Sequence, residues 1–227
     1  MTETSTAAHR IRSFHPRRGR VSPQRDETFQ RLWPAFGVPV EEKKADLEAI
    51  FGRHAPLVVE IGSGMGEATA VMAAADPARD YLAVEVHYAG ISNLFSLVDE
   101  AGVTNVRVAR GDAITLLTRM LEPASVDAIH VFFPDPWPKI RHHKRRLIRP
   151  ENVAILRAAL RPGGILHCAT DWPEYAEVML QVLTADPGLI NTTSGYAQRP
   201  AHRPVTKFEQ RGIDDGRPIA DLVFRRV

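Results

Sequence analysis

Apolar residues fall into short blocks separated by polar, glycine-bearing and proline-bearing stretches. Residues 57–61 are a compact apolar run and predict a buried strand. Residues 66–75 then predict a helix, ended by Asp76-Pro77. The alternation continues. Residues 81–86 predict a strand, and 89–100 an amphipathic helix with Gly102 just past its end. Residues 106–109 predict a strand, 113–120 a helix, and 126–133 another apolar strand. A helix over 153–160 is expected to stop at Arg161-Pro162-Gly163-Gly164, before a fifth strand at 165–170. Residues 173–183 read as a helix with proline in its first turn. A short helix is expected at 46–51, and extended chain at 205–208 and 222–226. Residues 1 to about 30 lack sustained periodicity and read as a mobile arm, leaving 31–227 as one domain.

Five strands each followed by a helix predict an α/β fold, with a parallel sheet covered on both faces. Such sheets bind ligands beyond the carboxyl ends of their strands. At 227 residues, 44% hydrophobic and 25% charged, the chain suits one globular domain and neither disorder nor a fibrous repeat. Its single cysteine, Cys168, excludes an internal disulfide and reads as a buried small hydrophobe. No apolar stretch reaches the roughly 20 residues of a membrane span, and the N-terminus lacks the apolar core of a secretory signal. A cytoplasmic location is therefore expected.

Charge changes the picture more. Residues 139–149 hold six cations and no acid, so the net +2 leaves the remainder at −4. Residues 1–31 hold seven arginines against three acids. Two concentrated basic segments on a nearly neutral chain suggest a polyanionic partner, although a solvated arginine loop and a loose tail fit as well.

The first strand runs into Glu60-Ile61-Gly62-Ser63-Gly64-Met65-Gly66-Glu67. The dinucleotide fingerprint G-x-G-x-x-G would need glycine where Glu67 stands. Flanking acids suit a positively charged ligand, such as the ammonium and sulfonium of S-adenosylmethionine, better than a pyrophosphate. A glycine loop alone also fits a tight structural turn. Glu85 ends the second strand, 19 residues beyond Gly66, where a carboxylate can accept from ribose hydroxyls. Gly111-Asp112-Ala113 ends the third. Asp112 could accept from the adenine amine, or simply cap the next helix. Acids at three successive strand ends together describe an adenosyl site. The fourth strand ends in Phe132-Phe133-Pro134-Asp135-Pro136-Trp137-Pro138-Lys139. Its prolines stiffen the backbone around Asp135. A flat base could pack on Trp137 while Asp135 accepts from its N–H groups, unless Trp137 belongs to the core.

The segment 132–137, with Lys139 and Arg141-His142-His143-Lys144-Arg145-Arg146, resembles the central motif of the bacterial tRNA (guanine-N7)-methyltransferases. So do Glu60-Ile61-Gly62, Glu85-Val86-His87, Ala169-Thr170-Asp171-Trp172, the run 203–212, and Arg12-Ser13-Phe14 with Arg18-Gly19-Arg20. The resemblance runs from about residue 12 to the end. It implies a Rossmann-like class I methyltransferase fold, a mainly parallel doubly wound sheet with a C-terminal antiparallel strand. It implies methyl transfer from S-adenosylmethionine to N7 of a guanine in the variable loop of tRNA, at position 46. It also implies roles. Glu60, Gly62, Gly64, Glu85, Asp112, Ala113 and Asp135 would contact the cofactor, with Asp135 also catalytic. Lys139, Asp171, Thr206, Lys207, Phe208 and Glu209 would hold the guanosine. Arg141, His142, His143, Lys144, Arg145 and Arg146 would contact RNA. Ser63 and Pro138 depart from the family pattern without replacing a functional side chain.

Three other readings compete: an amino-methylating enzyme with an Asp-Pro-Pro-aromatic-like motif, a nicotinamide oxidoreductase, and a noncatalytic RNA-binding module. The basic run and residues 206–212, the glycine spacing, and the strand-end acids argue against them in turn. No carboxylate or cysteine stands at ligand spacing from His142-His143, so no metal is expected. No obligate protein partner is evident, and monomer and homodimer stay open.

Overall fold

A computed structural model of the chain describes residues 22–227. The N-terminal motif at residues 12–20 and the side chain of Phe208 lie outside what it describes. The elements are α1 (Pro23–Phe36), β1 (Gly37–Pro39), α2 (Leu47–Phe51), β2 (Leu57–Ile61), α3 (Glu67–Ala75), β3 (Asp80–Glu85), α4 (Tyr88–Glu100) and β4 (Val106–Arg110). A short α5 (Ala113–Thr115) passes into a π turn (Leu116–Met120), followed by β5 (Val126–Phe132) and a 3-10 segment (Ile140–Arg145). Then come α6 (Pro150–Ala159), β6 (Leu160–Thr170), α7 (Pro173–Ala185), β7 (Leu189–Asn191), α8 (Lys207–Asp214) and β8 (Ala220–Arg226).

The strands form one sheet in the order β1-β4-β3-β2-β5-β6-β8-β7. All pairings up to β6 are parallel, and β8 pairs antiparallel with both β6 and β7. This is the doubly wound sheet with a C-terminal antiparallel strand that the family resemblance implies. Strand order reverses between β2 and β5, which puts the ligand crevice at their carboxyl ends. Because side chains alternate across a strand, each face has its own core. Val59, Ile129, Leu166 and Phe224 pack with Leu156 and Met179 on one face. Val58, Ala83, Val108 and Ala128 pack with Met72, Leu94 and Phe95 on the other. Cys168 is fully buried, and burial pushes its thiol pKa up. Among the described residues, no helix is long and apolar enough to cross a membrane.

Four local expectations change. Residues 23–30 are not arm but the start of α1, capped by Ser22 and entered through Pro23. Phe29, Leu32, Trp33 and Phe36 recur at helical spacing, and Phe29 stacks on Tyr88 at 4.1 Å. A boundary at 30 cuts that stripe in two. Second, Arg161 to Gly164 does not end the chain direction before a strand but belongs to β6 as an irregularity against β5, with Gly163 at φ +79. Third, 205–208 is not extended: Thr206 accepts from the Glu209 amide and starts α8. The Thr-x-x-Glu spacing carried that signal. Fourth, the expected helix over 113–120 keeps only one α turn before the π turn. The three-residue strands β1 and β7 are too short to show a period.

Candidate active site

A cleft of about 420 Å³ opens at the carboxyl ends of β2, β3 and β5, within the usual range for small-ligand sites. Its floor is the loop between β2 and α3. Gly62, Gly64 and Gly66 take φ of +76, +58 and +77, a region costly for other residues. Their path is held from β3. Glu85, buried, accepts from the Gly64 amide at 2.8 Å through Oε2 and from the Val86 and His87 amides at 2.7 and 2.8 Å through Oε1. Glu85 therefore shapes the loop as well as facing the cleft. Gly90, in the first turn of α4, is the hidden partner of this arrangement. A Cβ there would stand 2.0 Å from the Gly64 carbonyl oxygen. A glycine inside a helical pattern is the sequence signal for such an approach.

Glu60, at the end of β2, is 3% exposed and accepts from the Thr69 hydroxyl at 2.5 Å. Burial pushes its carboxyl pKa up to about 7, Thr69 opposes the shift, and the charge of Glu85 adds to it. None of the groups acting on Glu60 is a cation.

At the end of β5, Phe133 and Trp137 take φ of +49 and +47, strained for residues with side chains. They bracket Pro134-Asp135-Pro136 and fix where the loop leaves the sheet. Asp135 is exposed and lines the cleft with Phe132, Phe133 and Leu147. Trp137 is half-buried, between the edge-on ring of His142 at 5.9 Å and the guanidinium of Arg145 at 4.9 Å. Thr206, Lys207 and Arg211 close the cleft from α8, and Lys207 pairs with Glu67 across its mouth. Arg211 was missed by sequence reasoning, as was Arg203.

Arg203 is 1% exposed. Its Nε and Nη2 donate to Asp221 at 2.8 Å, and its Nη1 to Glu209 at 2.5 Å. The guanidinium also lies near the rings of Phe132 and Phe133. Glu209 is therefore engaged inside the protein by Arg203 and is not among the residues that line the cleft. Arg146 departs from expectation in the same way. It is 3% exposed, donates bidentately to Glu174 and to the Pro136 carbonyl, and stacks over Tyr175. It anchors the loop from inside and is buried, unlike Arg141 and Lys144 of the same run. Arg141, Lys144 and Lys139 are exposed, while His142, His143 and Arg145 are half-buried. Asp112 caps α5 by accepting from the Thr115 amide at 2.9 Å, and its neighbours Gly111 and Ala113 line the cleft instead. Asp171 also lies outside the lining, and accepts from Arg217 at 2.9 Å.

Residues 54–222 match the family described as "Putative methyltransferase". A Streptomyces avermitilis protein named tRNA (guanine-N(7)-)-methyltransferase is 56% identical over 220 residues, covering 96% of this chain and 76% of that protein. The chain belongs to the tRNA (guanine-N7)-methyltransferase family. A Burkholderia vietnamiensis protein of the same name is 54% identical over 217 residues, covering 96% and 85%. Among solved structures, the 16S rRNA methyltransferase KamB superposes with a TM-score of 0.59 at 16% identity, covering 82% of this chain and 94% of its own. TrmN from Thermus thermophilus gives 0.55 at 18%, covering 80% and 47%. These two share the class I methyltransferase fold. For a tRNA (guanine-N7)-methyltransferase, the site divides into an acidic floor and a basic rim.

Two predictions follow from this geometry. Gly90→Ala must displace the Gly64 carbonyl, so cofactor affinity falls by about a hundredfold. Calorimetric titration with S-adenosylhomocysteine checks this, and an unchanged affinity would mean the contact does not place the loop. Glu60, raised to about 7, is mostly protonated in the free protein below that pH. A cationic ligand favours its ionised form. S-adenosylmethionine binding therefore tightens as pH rises through 7 and takes up to about one proton from the protein below it. Calorimetry in buffers of different ionisation enthalpy reads this proton release, and Glu60→Gln abolishes it.

Proposed function

We infer that this chain transfers a methyl group from S-adenosylmethionine to N7 of a guanine in tRNA, giving 7-methylguanosine and S-adenosylhomocysteine. The observation that carries the cofactor half is the buried pair Glu60 and Glu85, placed together with no cation acting on Glu60. Burying ionisable carboxyls this way is costly until a positive charge joins them. An ammonium and a sulfonium fit that donor set, and the glycine loop leaves backbone room beside it. Glu60 would face the cationic end and Glu85 the ribose hydroxyls. Gly111 and Ala113 would lie against the adenine. The family name directs the other half to guanine N7, and a guanine of the tRNA variable loop would be the acceptor.

When bound, the sulfonium supplies an electrophilic methyl group. Guanine N7 carries an in-plane lone pair and no hydrogen, so the chain has no proton to remove there. Its task is orientation and electrostatic stabilisation of a ring that becomes cationic. Asp135, held between two strained residues, orients the base and opposes the developing charge. Thr206 and Lys207 position the guanosine from the other wall, with Phe208 beside them in sequence. Asp171 acts near the same wall through its contact with Arg217. Lys139, Arg141 and Lys144 bind phosphates, with Arg145 and His142 around Trp137, and His143 beside them in sequence, supporting that surface. With tRNA as its substrate, the protein would act in the cytoplasm.

Labelled S-adenosylmethionine and tRNA lacking the modification should yield 7-methylguanosine by nucleoside mass spectrometry. A methylated adenine or cytosine amine in its place would overturn the reading. Asp135→Asn should lower kcat by roughly a hundredfold or more with little change in KM for tRNA. Near wild-type kcat in that variant would remove electrostatics as its role.

The basic rim makes a separate prediction. Loss of each phosphate contact in Arg141→Ala, Lys144→Ala should flatten the plot of log affinity against log salt by about 0.7 to 0.9. Arg146→Ala should instead lower thermal stability and leave that slope alone, as a buried anchor would. An unchanged slope in the double variant counts against the rim as the RNA contact.

A further inference from the structure

Behind the cleft, three imidazoles converge from distant parts of the sequence. His130 on β5 and His167 on β6 are register partners on adjacent parallel strands. His202 comes from the loop that precedes α8. Its ring lies 5.8 Å from that of His130 and 5.6 Å from that of His167. One nitrogen from each of the three lies within 4.8 Å of the other two. We propose that His130, His167 and His202 form a divalent transition-metal site, of zinc type, that pins the chain entering α8 to the sheet.

The hydrogen bonding argues for ligands rather than a packed cluster of rings. His167 Nε2 lies 2.7 Å from Asp221 Oδ1. With the Nε2 proton donated to that carboxylate, Nδ1 keeps its lone pair, and Nδ1 is buried without a hydrogen-bond partner. A histidine oriented by a carboxylate on its far nitrogen is the usual arrangement behind a metal ligand. His130 Nδ1 is also buried and unpartnered. Both residues are almost completely shielded, at 4% and 1% exposure. These two buried nitrogens, one on each of the paired strands, each forgo a hydrogen bond that a metal would replace.

The donor type narrows the ion. Imidazole suits zinc, copper and nickel, and does not suit magnesium or calcium. Tetrahedral bonds of roughly 2.0–2.1 Å put ligand nitrogens about 3.4 Å apart. His202 is exposed on a loop, so it can make that approach and leave the fourth position to water. The charge balance also permits a cation. The nearby arginines, Arg79 and Arg203, are already paired with Asp76 and with Glu209 and Asp221.

The site is separate from the cleft, since none of the three histidines lines it. Phe132 stands between, stacked on His130 at 5.0 Å and edge-on to His167 at 4.9 Å, with its other side in the cleft. A metal here fixes His202, four residues before Thr206, and so fixes the wall that α8 presents.

The test uses the full chain without an affinity tag, stripped with a chelator and titrated with Co²⁺ or Zn²⁺. One Co²⁺ per chain should bind, with the visible bands of a four-coordinate site. Zinc-edge X-ray absorption of the wild type should show three imidazole nitrogens at about 2.0–2.1 Å. His202→Ala should weaken Zn²⁺ binding by at least about a hundredfold, more than loss of an outer-shell partner does. His142→Ala, His143→Ala should leave it unchanged. The proposal fails if the wild type takes up no stoichiometric Co²⁺, if the absorption shows fewer than two imidazoles, or if affinity follows His142 and His143 rather than His202. These readouts do not involve methyl transfer, so they stand or fall apart from the proposed activity.

Discussion

Arg203 carries a full charge with almost no contact with water, shared between Asp221 on β8 and Glu209 on α8. Removing one partner from such a buried set is expensive, about 3–5 kcal/mol, because the survivors keep their desolvation cost. The geometry of the site follows from this. Asp221 sits on the antiparallel strand, Glu209 on the helix that closes the cleft, and the guanidinium lies near Phe132 and Phe133 at the end of β5. One residue therefore sets the distance between the wall that carries Asp135 and the wall that carries Thr206 and Lys207. Asp221 also accepts from His167, so the same carboxylate joins the arginine to the imidazole cluster.

A second arginine does the same for the reaction loop. Arg146 reaches inward from the basic run to Glu174 and the Pro136 carbonyl. Strain at Phe133 and Trp137 persists only where the surroundings over-determine it. Arg146 supplies one such restraint below the loop, and Arg145 over Trp137 another above it. The basic run is thus two structures. Part of it faces solvent as a positively charged surface, and part is internal support for the loop that carries Asp135.

Much of this was legible in the sequence where function rests on strand ends. Strand periodicity locates Glu60, Glu85 and Asp135, and the parallel-sheet rule brings strand ends together, so the cleft follows from local patterns. Residues whose role depends on a partner far along the chain were not legible in this way. Arg146 and Glu209 look like exposed charges beside other charges, and only Glu174 and Arg203 show that they turn inward. Asp112 had two readings, and its cap on α5 is the one the hydrogen bonds support. Gly90 gives a local hint, but the carbonyl it makes room for belongs to a loop 26 positions earlier by residue number. The helix at 23–36 was readable, since its apolar stripe is regular, but the charged residues around Phe29 obscure where it begins.

The two halves of the molecule solve opposite electrostatic problems, and this explains why they meet where they do. The cofactor end gathers carboxylates out of water and leaves them short of positive charge, which raises Glu60 toward neutrality. The C-terminal end pairs its buried charges completely through Arg203. Had the acidic floor been neutralised internally, as Asp221 and Glu209 are, it would have little left to offer a sulfonium. Had the C-terminal charges been left unpaired, α8 could not stay docked against the sheet. Phe132 and Phe133 lie on that boundary, apolar toward the cleft and within reach of the guanidinium behind. Asp135, at that boundary, is exposed. Its place on a proline-stiffened turn between the strained Phe133 and Trp137 fixes where that carboxylate stands relative to the cleft.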